Sequence, residues 1–165
     1  MRPILVIQCG NKKRKGVHRV RDLYLGPFWS TFRARDREAP VELDVFVLSA
    51  GHGLKHVDER LASYDCKLTP ERVPVVGAMV CDQVGSQYPR LRGRPVHFVG
   101  NSLYREALEG GGLDVRPIFK PGDGLLGMRS ALTDFLRLHG RFNALKGTGV
   151  KYVDLGAIMR RVRGD

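Results

Sequence analysis

Short, continuous apolar runs, each followed by a loop, dominate the hydrophobic pattern of this chain. Such runs occupy 3–9, 41–50, 95–100 and 115–119. Runs of this length without strict alternation are typical of parallel strands that are buried on both faces. Pro117 lies inside the last run, and proline cannot donate to a central ladder, so this strand is predicted at a sheet edge. The long segment 51–68 shows no clear period.

Helical spacing separates these runs. Predicted helices lie at 22–32, 69–88, 102–108 and 127–139, with a short one in the tail at 154–162. Asp22 and Ser102 are the expected N-caps of the first and third helices. Pro27 fits a first helical turn, and Pro74 predicts an irregular start for the second helix.

Strand, loop and helix therefore alternate about four times. This order predicts a single α/β domain over residues 1–165, with a mostly parallel sheet of about four to five strands and helices on both faces. Ligands of such folds bind outside the carboxyl ends of the strands. Candidate chemistry is therefore expected in the loops that follow Ile7, Leu48 and Val99.

Composition excludes several classes of protein. The chain has 165 residues, of which 42% are hydrophobic and 27% charged, as in an ordinary globular domain. Its apolar runs are too short to span a bilayer, so we expect a cytoplasmic protein without a membrane partner. Three cysteines without CxxC spacing favour neither a disulfide framework nor a zinc site. No metal or other cofactor is expected.

The positive charge is concentrated at the two ends of the chain. The formal net charge is +11, and residues 1–40 carry ten Lys or Arg against three acids. Residues 141–165 carry six against two, whereas the central hundred residues are balanced. If the basic N-terminal loop and the basic C-terminal tail converge, they form a face that attracts polyanions. Nucleic acid is the expected partner, although a phosphorylated small molecule or solvated surface charge also fits.

The loop after the first strand holds four consecutive cations between two glycines. It contains the candidate nucleic-acid-binding residues Asn11, Lys12, Lys13, Arg14 and Lys15. It lacks the GxxxxGK[ST] pattern of a Walker A loop. Its composition predicts a phosphate clamp, and the alternative is a solvated hairpin tip.

The loops after the second and third strands carry the other candidates. His52 lies between two glycines and could move a proton, while Asp65 could activate water or stabilise a cationic transition state. Asp65 could instead cap a turn. Asn101 could hydrogen-bond a base edge, and Tyr104 and Arg105 could contact nucleic acid at a helix N-terminus that attracts phosphate. Ordinary helix capping is the alternative for Asn101.

Two of these stretches carry a family resemblance. Residues 48–54 (LSAGHGL) followed by 64–68 (YDCKL) resemble the "LSxxYGL … PYxLxL" signature of the YaaA-like group of bacterial and phage proteins. His52 stands where that group usually has tyrosine, and Ser63 stands where it usually has proline. A "CxxxK" turn at 9–13, an "LYxxPxF" segment near 23–28 and a glycine-led final helix are also similar. The resemblance implies DNA binding and a link to DNA damage or modification.

The leading hypothesis is a DNA N-glycosylase that removes a modified or damaged base. Asp65, His52 and Asn101 would then be catalytic, with Asp65 stabilising oxocarbenium character or activating water. One alternative is a non-catalytic DNA-binding stress or regulatory protein. Another is a soluble nucleotide or nucleoside hydrolase or transferase that uses the same loops.

Overall fold

The computed structural model describes residues 1–140. The basic tail and the short helix predicted at 154–162 lie outside the described residues. Seven strands are β1 Ile4–Gln8, β2 Val17–Arg19, β3 Asp44–Ser49, β4 Gly53–His56, β5 Arg60–Ala62, β6 Pro95–Val99 and β7 Asp114–Pro117. Five α-helices are α1 Val20–Leu23, α2 Pro27–Glu38, α3 Val73–Ser86, α4 Ser102–Gly110 and α5 Gly124–Leu138.

A five-stranded sheet forms the centre of the domain, in the order β4-β3-β1-β6-β7. β1 pairs in parallel with both β3 and β6, and β6 pairs in parallel with β7. β4 is antiparallel to β3. The predicted single α/β domain with a mostly parallel sheet is confirmed, and the strand that contains Pro117 lies at an edge as expected.

The helices pack in two pairs, α3 with α4 and α2 with α5. The chain passes from β1 through α2 to β3, towards the β4 edge of the sheet. It then passes from β3 through α3 to β6, and from β6 through α4 to β7, both towards the β7 edge. Because such crossovers are right-handed, the two pairs cover opposite faces of the sheet. The central strand is consequently inaccessible, and all four residues Ile4 to Ile7 are fully buried.

Two expected N-caps are wrong. α2 begins at Pro27 with Gly26 as its N-cap, and Asp22 lies in the separate short helix α1. The break has a backbone cause, because residues 23–25 pair with the loop after β1: Arg14 N–H donates to Leu23 O at 2.8 Å and Leu25 N–H to Lys12 O at 2.9 Å. Asn101, rather than Ser102, caps α4. The irregular start of the second predicted helix is confirmed as a 3₁₀ turn at Pro70–Arg72 before α3.

The segment 51–68 is more ordered than its sequence pattern indicates. It contains β4, which adds an antiparallel edge to the main sheet, and β5, which pairs with β2 in a separate two-stranded sheet. β2 and β5 have three residues each. Strands this short are formed mainly by tertiary pairing and leave little periodicity to detect.

Within residues 1–140, no helix combines the length and the apolar character needed to cross a membrane.

A close approach of two helices gives a stability prediction. A Cβ atom at Gly77 in α3 would lie 3.3 Å from the carbonyl oxygen of Ala107 in α4, whereas one at Gly110 would meet nothing within 4 Å. Gly77→Val should therefore force the helices apart and lower the free energy of unfolding by about 1–3 kcal/mol in denaturant titrations. Gly110→Val, the matched control, introduces the same side chain where an added Cβ meets nothing within 4 Å, and it should change stability by less than about 1 kcal/mol. Equal stability of Gly77→Val and the unsubstituted protein would contradict this account of the α3–α4 contact.

Candidate functional site

The register of the parallel strands places three strand ends at one edge of the sheet. Gln8 lies beside Leu48, and Ile7 lies beside Val99. Cys9, Ser49 and Gly100 follow directly, so the loops after Ile7, Leu48 and Val99 all begin at one edge of the sheet. The loops after β1 and β6 line a common cleft. Ser49, at the end of β3, is instead part of a hydrogen-bond network beside that cleft.

The cleft has a volume of about 520 Å³. It lies between the loop after β1, the first turn of α2, the first turn of α4 and the segment that leads into α3. Its apolar lining is Leu25, Gly26, Pro27, Phe28, Trp29, Leu68 and Leu125. Its polar lining is Gln8, Cys9, Asn11, Lys12, Lys67, Asn101 and Tyr104, with Gly10 beside them. The cleft thus combines cations and amides with apolar side chains, and no carboxylate is among its lining side chains within the described part of the chain.

The first turn of α2 adds a positive end to this cleft. Its N-cap is Gly26, which has no side chain to accept from the first N–H groups of the helix. Gly26 and the following residues Pro27, Phe28 and Trp29 all line the cleft. An uncapped helix N-terminus favours anions through its unpaired N–H groups and the helix dipole. An anionic group would therefore be stabilised at this end of the cleft.

Three hydroxyl groups form a chain next to the cleft. Ser49 Oγ donates to the Tyr64 hydroxyl at 2.6 Å, and the Tyr24 and Tyr64 hydroxyls are 2.8 Å apart. Ser49 Oγ also accepts from the backbone N–H groups of Gly51 and His52. The chain thereby connects β3, its following loop, the segment around Tyr64 and the residues between α1 and α2.

Burial governs the ionisation of the tyrosines here. It raises the pKa of Tyr24, Tyr64 and Tyr104 well above the ordinary value, and the nearby Cys9 also raises each of them. All three phenols are therefore protonated at neutral pH. Tyr104 lines the cleft, and its hydroxyl lies 3.1 Å from Cys9 Sγ. The Tyr104 hydroxyl can therefore exchange hydrogen bonds with a ligand in the cleft but is a poor base.

The basic loop does not act as one uniform clamp. Lys12 is exposed and lines the cleft. Lys13 Nζ lies over the Tyr64 ring at 4.3 Å from its centroid, and Arg14 donates to Asp22 O at 3.0 Å. Lys15 is exposed outside the cleft lining, while Asn11 lies within it. The structure thus brings Asn11 and Lys12 to the cleft and engages Lys13 and Arg14 in contacts within the domain.

Of the candidate residues outside the basic loop, some line the cleft and others do not. Asn101 and Tyr104 line the cleft, whereas the exposed Arg105 forms an ion pair with Glu109 at 2.7 Å. His52 contacts the Tyr64 ring edge-on, at a centroid distance of 4.7 Å, and lies outside the cleft lining. Partial burial, helped by Lys55, lowers the pKa of His52, so its imidazole is neutral at pH 7.

Asp65 lies on the segment between Tyr64 and Leu68, close to the rim of the cleft. Burial alternates along this segment, with Tyr64, Cys66 and Leu68 turned inward and Asp65 and Lys67 exposed. Alternate residues of an extended chain share a side, so Asp65 lies on the same side as Lys67, which lines the cleft. The Asp65 carboxylate itself is not part of the cleft lining and has no hydrogen bond or ion pair within residues 1–140.

Sequence reasoning missed Gln8, Lys67 and the hydroxyl chain. The sequence pattern places Gln8 in the first strand. Its position at the carboxyl end of that strand is the one signal that its side chain could contact a ligand. Its Oε1 atom accepts from the backbone N–H of Asn101 at 2.7 Å. A Cβ atom at Gly100 would lie 2.8 Å from that Oε1, so glycine is required for this approach. The contact ties β1 to the first turn of α4.

No three His, Cys, Asp or Glu side chains within the described part of the chain are grouped so that they could hold a metal ion.

Tyr64 is expected to stabilise the loops around the site. Tyr64→Phe leaves the hydroxyls of Ser49 and Tyr24 without their shared partner, and an unsatisfied buried hydroxyl costs about 1–3 kcal/mol. We expect the free energy of unfolding, measured in urea, to fall by that amount. Tyr104→Phe removes a single bond to a thiol, which is a weak partner, and should cost less. The reverse order of stability would show that the hydroxyl chain does not hold these loops.

The chain was compared with known protein families, curated proteins and solved structures. A family of unknown function, DUF6884, matches residues 4–120. This range includes β1 to β7 and every residue that lines the cleft except Leu125. No curated protein and no solved structure matches the chain. Since the match covers more than half of its length, this protein belongs to the DUF6884 family.

Proposed function

We propose that this protein binds nucleic acid and acts on a single base held in the cleft, most concretely as a DNA N-glycosylase. The observation that carries the proposal is the cleft itself. Its volume of about 520 Å³ suits one nucleotide, apolar side chains contribute to its lining, and the exposed Lys12 and Lys67 lie at its rim. An enzyme that acts on a base in a duplex must extrude that base into such a pocket.

The parts of a nucleotide would have distinct neighbours in this arrangement. The uncapped N-terminus of α2 and the ammonium group of Lys12 suit a phosphate. Phe28 and Trp29 are mostly buried but contribute to the cleft wall, where a base can contact them. Asn101 at the start of α4 can hydrogen-bond the base edge.

Asp65 is the proposed catalytic carboxylate. Its position on the same side as Lys67 places it near the entrance, and no partner within residues 1–140 neutralises it. A free carboxylate there would stabilise positive charge on the sugar or activate the attacking water.

A soluble nucleotide or nucleoside hydrolase or transferase is the second candidate. Two N-terminal arginines form ion pairs within the domain: Arg21 pairs with Asp36 and Asp58, and Arg35 pairs with Glu38. Less of the N-terminal charge is therefore free for a polyanion than the sequence suggests. A cleft of one-nucleotide size with two lysines would serve a mononucleotide equally well.

Binding to DNA is tested by its salt dependence. Replacing Lys12 and Lys67 together by alanine should weaken binding to duplex DNA of any sequence. It should also reduce the slope of log affinity against log salt by about 0.9 for each lost phosphate contact. The control is the double replacement of Arg2 and Arg92, exposed residues near the starts of β1 and β6, at the opposite edge of the sheet. An unchanged slope in the Lys12 and Lys67 variant, or an equal reduction in the control, would rule out the cleft rim as the DNA-binding surface.

Catalysis is tested by release of free base. Incubation of the full chain with modified and unmodified DNA, followed by mass spectrometry of the small-molecule fraction, should detect a released base. Asp65→Asn retains the side-chain shape but removes the charge, so the rate should fall on the order of 10²–10⁴-fold while DNA affinity survives. Full activity of Asp65→Asn would exclude this carboxylate. Base release from no DNA tested, together with salt-sensitive DNA binding, would favour a non-catalytic DNA-binding protein.

A further inference from the structure

Two carboxamide side chains that line the cleft, those of Gln8 and Asn101, have their orientation determined by hydrogen bonds from backbone N–H groups. Gln8 Oε1 accepts the N–H of Asn101 at 2.7 Å. The reverse orientation would place the amino group of Gln8 against another donor. The Nε2 amino group of Gln8 is therefore the end of this side chain that is available to the cleft, and it has no partner within residues 1–140.

Asn101 is oriented in the same sense. Its Oδ1 atom accepts from the N–H groups of Leu103 at 3.1 Å and Tyr104 at 3.3 Å as the N-cap of α4. Only the oxygen of the amide can accept these hydrogen bonds, so the Nδ2 amino group takes no part in the cap. Asn101 is exposed and lines the cleft. Its amino group also lacks a partner within the described residues.

The cleft consequently presents an excess of donors to a ligand. Lys12 and Lys67 are donors only, and the amides of Gln8 and Asn101 have their oxygens occupied. Asn11 and the Tyr104 hydroxyl, which also line the cleft, can donate as well as accept, so donors outnumber acceptors. Donors that are buried by a ligand without an acceptor cost free energy, so the site selects a ligand edge that carries acceptors.

We propose that the amino groups of Gln8 and Asn101 in the cleft bind a 6-oxopurine base, guanine or hypoxanthine, through its O6 and N7 acceptors and discriminate against adenine. This inference rests on the proposed function and names its base class. Guanine offers O6 and N7 side by side, whereas adenine offers N7 beside an amino donor. An adenine amino group would meet the amino groups of Gln8 and Asn101, donor against donor. The cleft volume of about 520 Å³ leaves room for a bicyclic base.

Two isosteric variants test the donor pattern. Asn101→Asp retains the capping oxygen, because Asp and Asn are equally good N-caps, and replaces the free amino group by an acceptor. Gln8→Glu retains the acceptor for the Asn101 N–H and makes the same exchange at the second position. Gln87→Glu, on an exposed residue just after α3, adds an equal charge away from the cleft and is the control.

The experiment measures binding of GMP, IMP, AMP and CMP to the full chain, with inorganic phosphate as a further ligand. Trp29 is the only tryptophan and lines the cleft, so its fluorescence reports occupancy, and calorimetry supplies an independent affinity. A constant phosphate across the four nucleotides isolates the contribution of the base. Unfolding curves establish that each variant is folded.

GMP and IMP should bind about tenfold or more tightly than AMP, which is the discrimination that paired hydrogen bonds to a base edge support. Asn101→Asp and Gln8→Glu should each remove this preference, and Gln87→Glu should retain it. If one variant does not fold, the other and the ranking of the four nucleotides by the unsubstituted chain still decide the question.

Three outcomes would overturn the inference. The first is equal binding of all four nucleotides, or a preference for AMP or CMP. The second is a preference for GMP and IMP that survives in both Asn101→Asp and Gln8→Glu. The third is binding of inorganic phosphate as tight as that of GMP. None of these outcomes bears on the proposed action on nucleic acid, which is tested separately by the salt dependence of DNA binding and by the release of free base. Failure of the chain to bind any of these ligands or DNA would remove both proposals.

Discussion

The parallel pairing of β1 with β3 on one side and β6 on the other is the constraint on which the rest of this structure depends. The four apolar residues of β1 are fully buried between two helix layers, so the strand cannot shift in register without exposing them. That register brings Cys9, Ser49 and Gly100 to one edge of the sheet. The cleft and the hydroxyl chain exist because these three strand ends are aligned.

The loops at this edge are held by polar contacts that the domain makes with itself. Tyr64 connects Ser49 to Tyr24, and Lys13 packs over the Tyr64 ring. Gln8 and Asn101 connect the ends of β1 and β6 through one side-chain to backbone bond. A site whose supporting groups are satisfied in this way is preorganised, so a ligand need not pay for ordering the loops. The contacts also decide which functional groups remain available.

The same edge illustrates how charge in a sequence differs from charge at a site. Four consecutive cations follow β1, yet Lys13 contacts an aromatic ring and Arg14 a backbone carbonyl, and only Lys12 of the four lines the cleft. Lys67 joins it from a segment more than fifty residues away in the chain. Local composition thus indicates the right edge of the sheet but not the residues that form the rim.

The sequence by itself determined the α/β class, the order of the parallel strands along the chain and the edge where candidate chemistry lies. These features depend on local periodicity and on the general behaviour of parallel sheets, which apolar runs such as Ile4–Gln8 make visible. Only the tertiary structure decided that β5 pairs with β2 and that Gln8 and Lys67 line the same cleft. Each of these depends on contacts between residues distant in the chain, and hydrogen bonds across such distances leave no periodic trace in a single sequence.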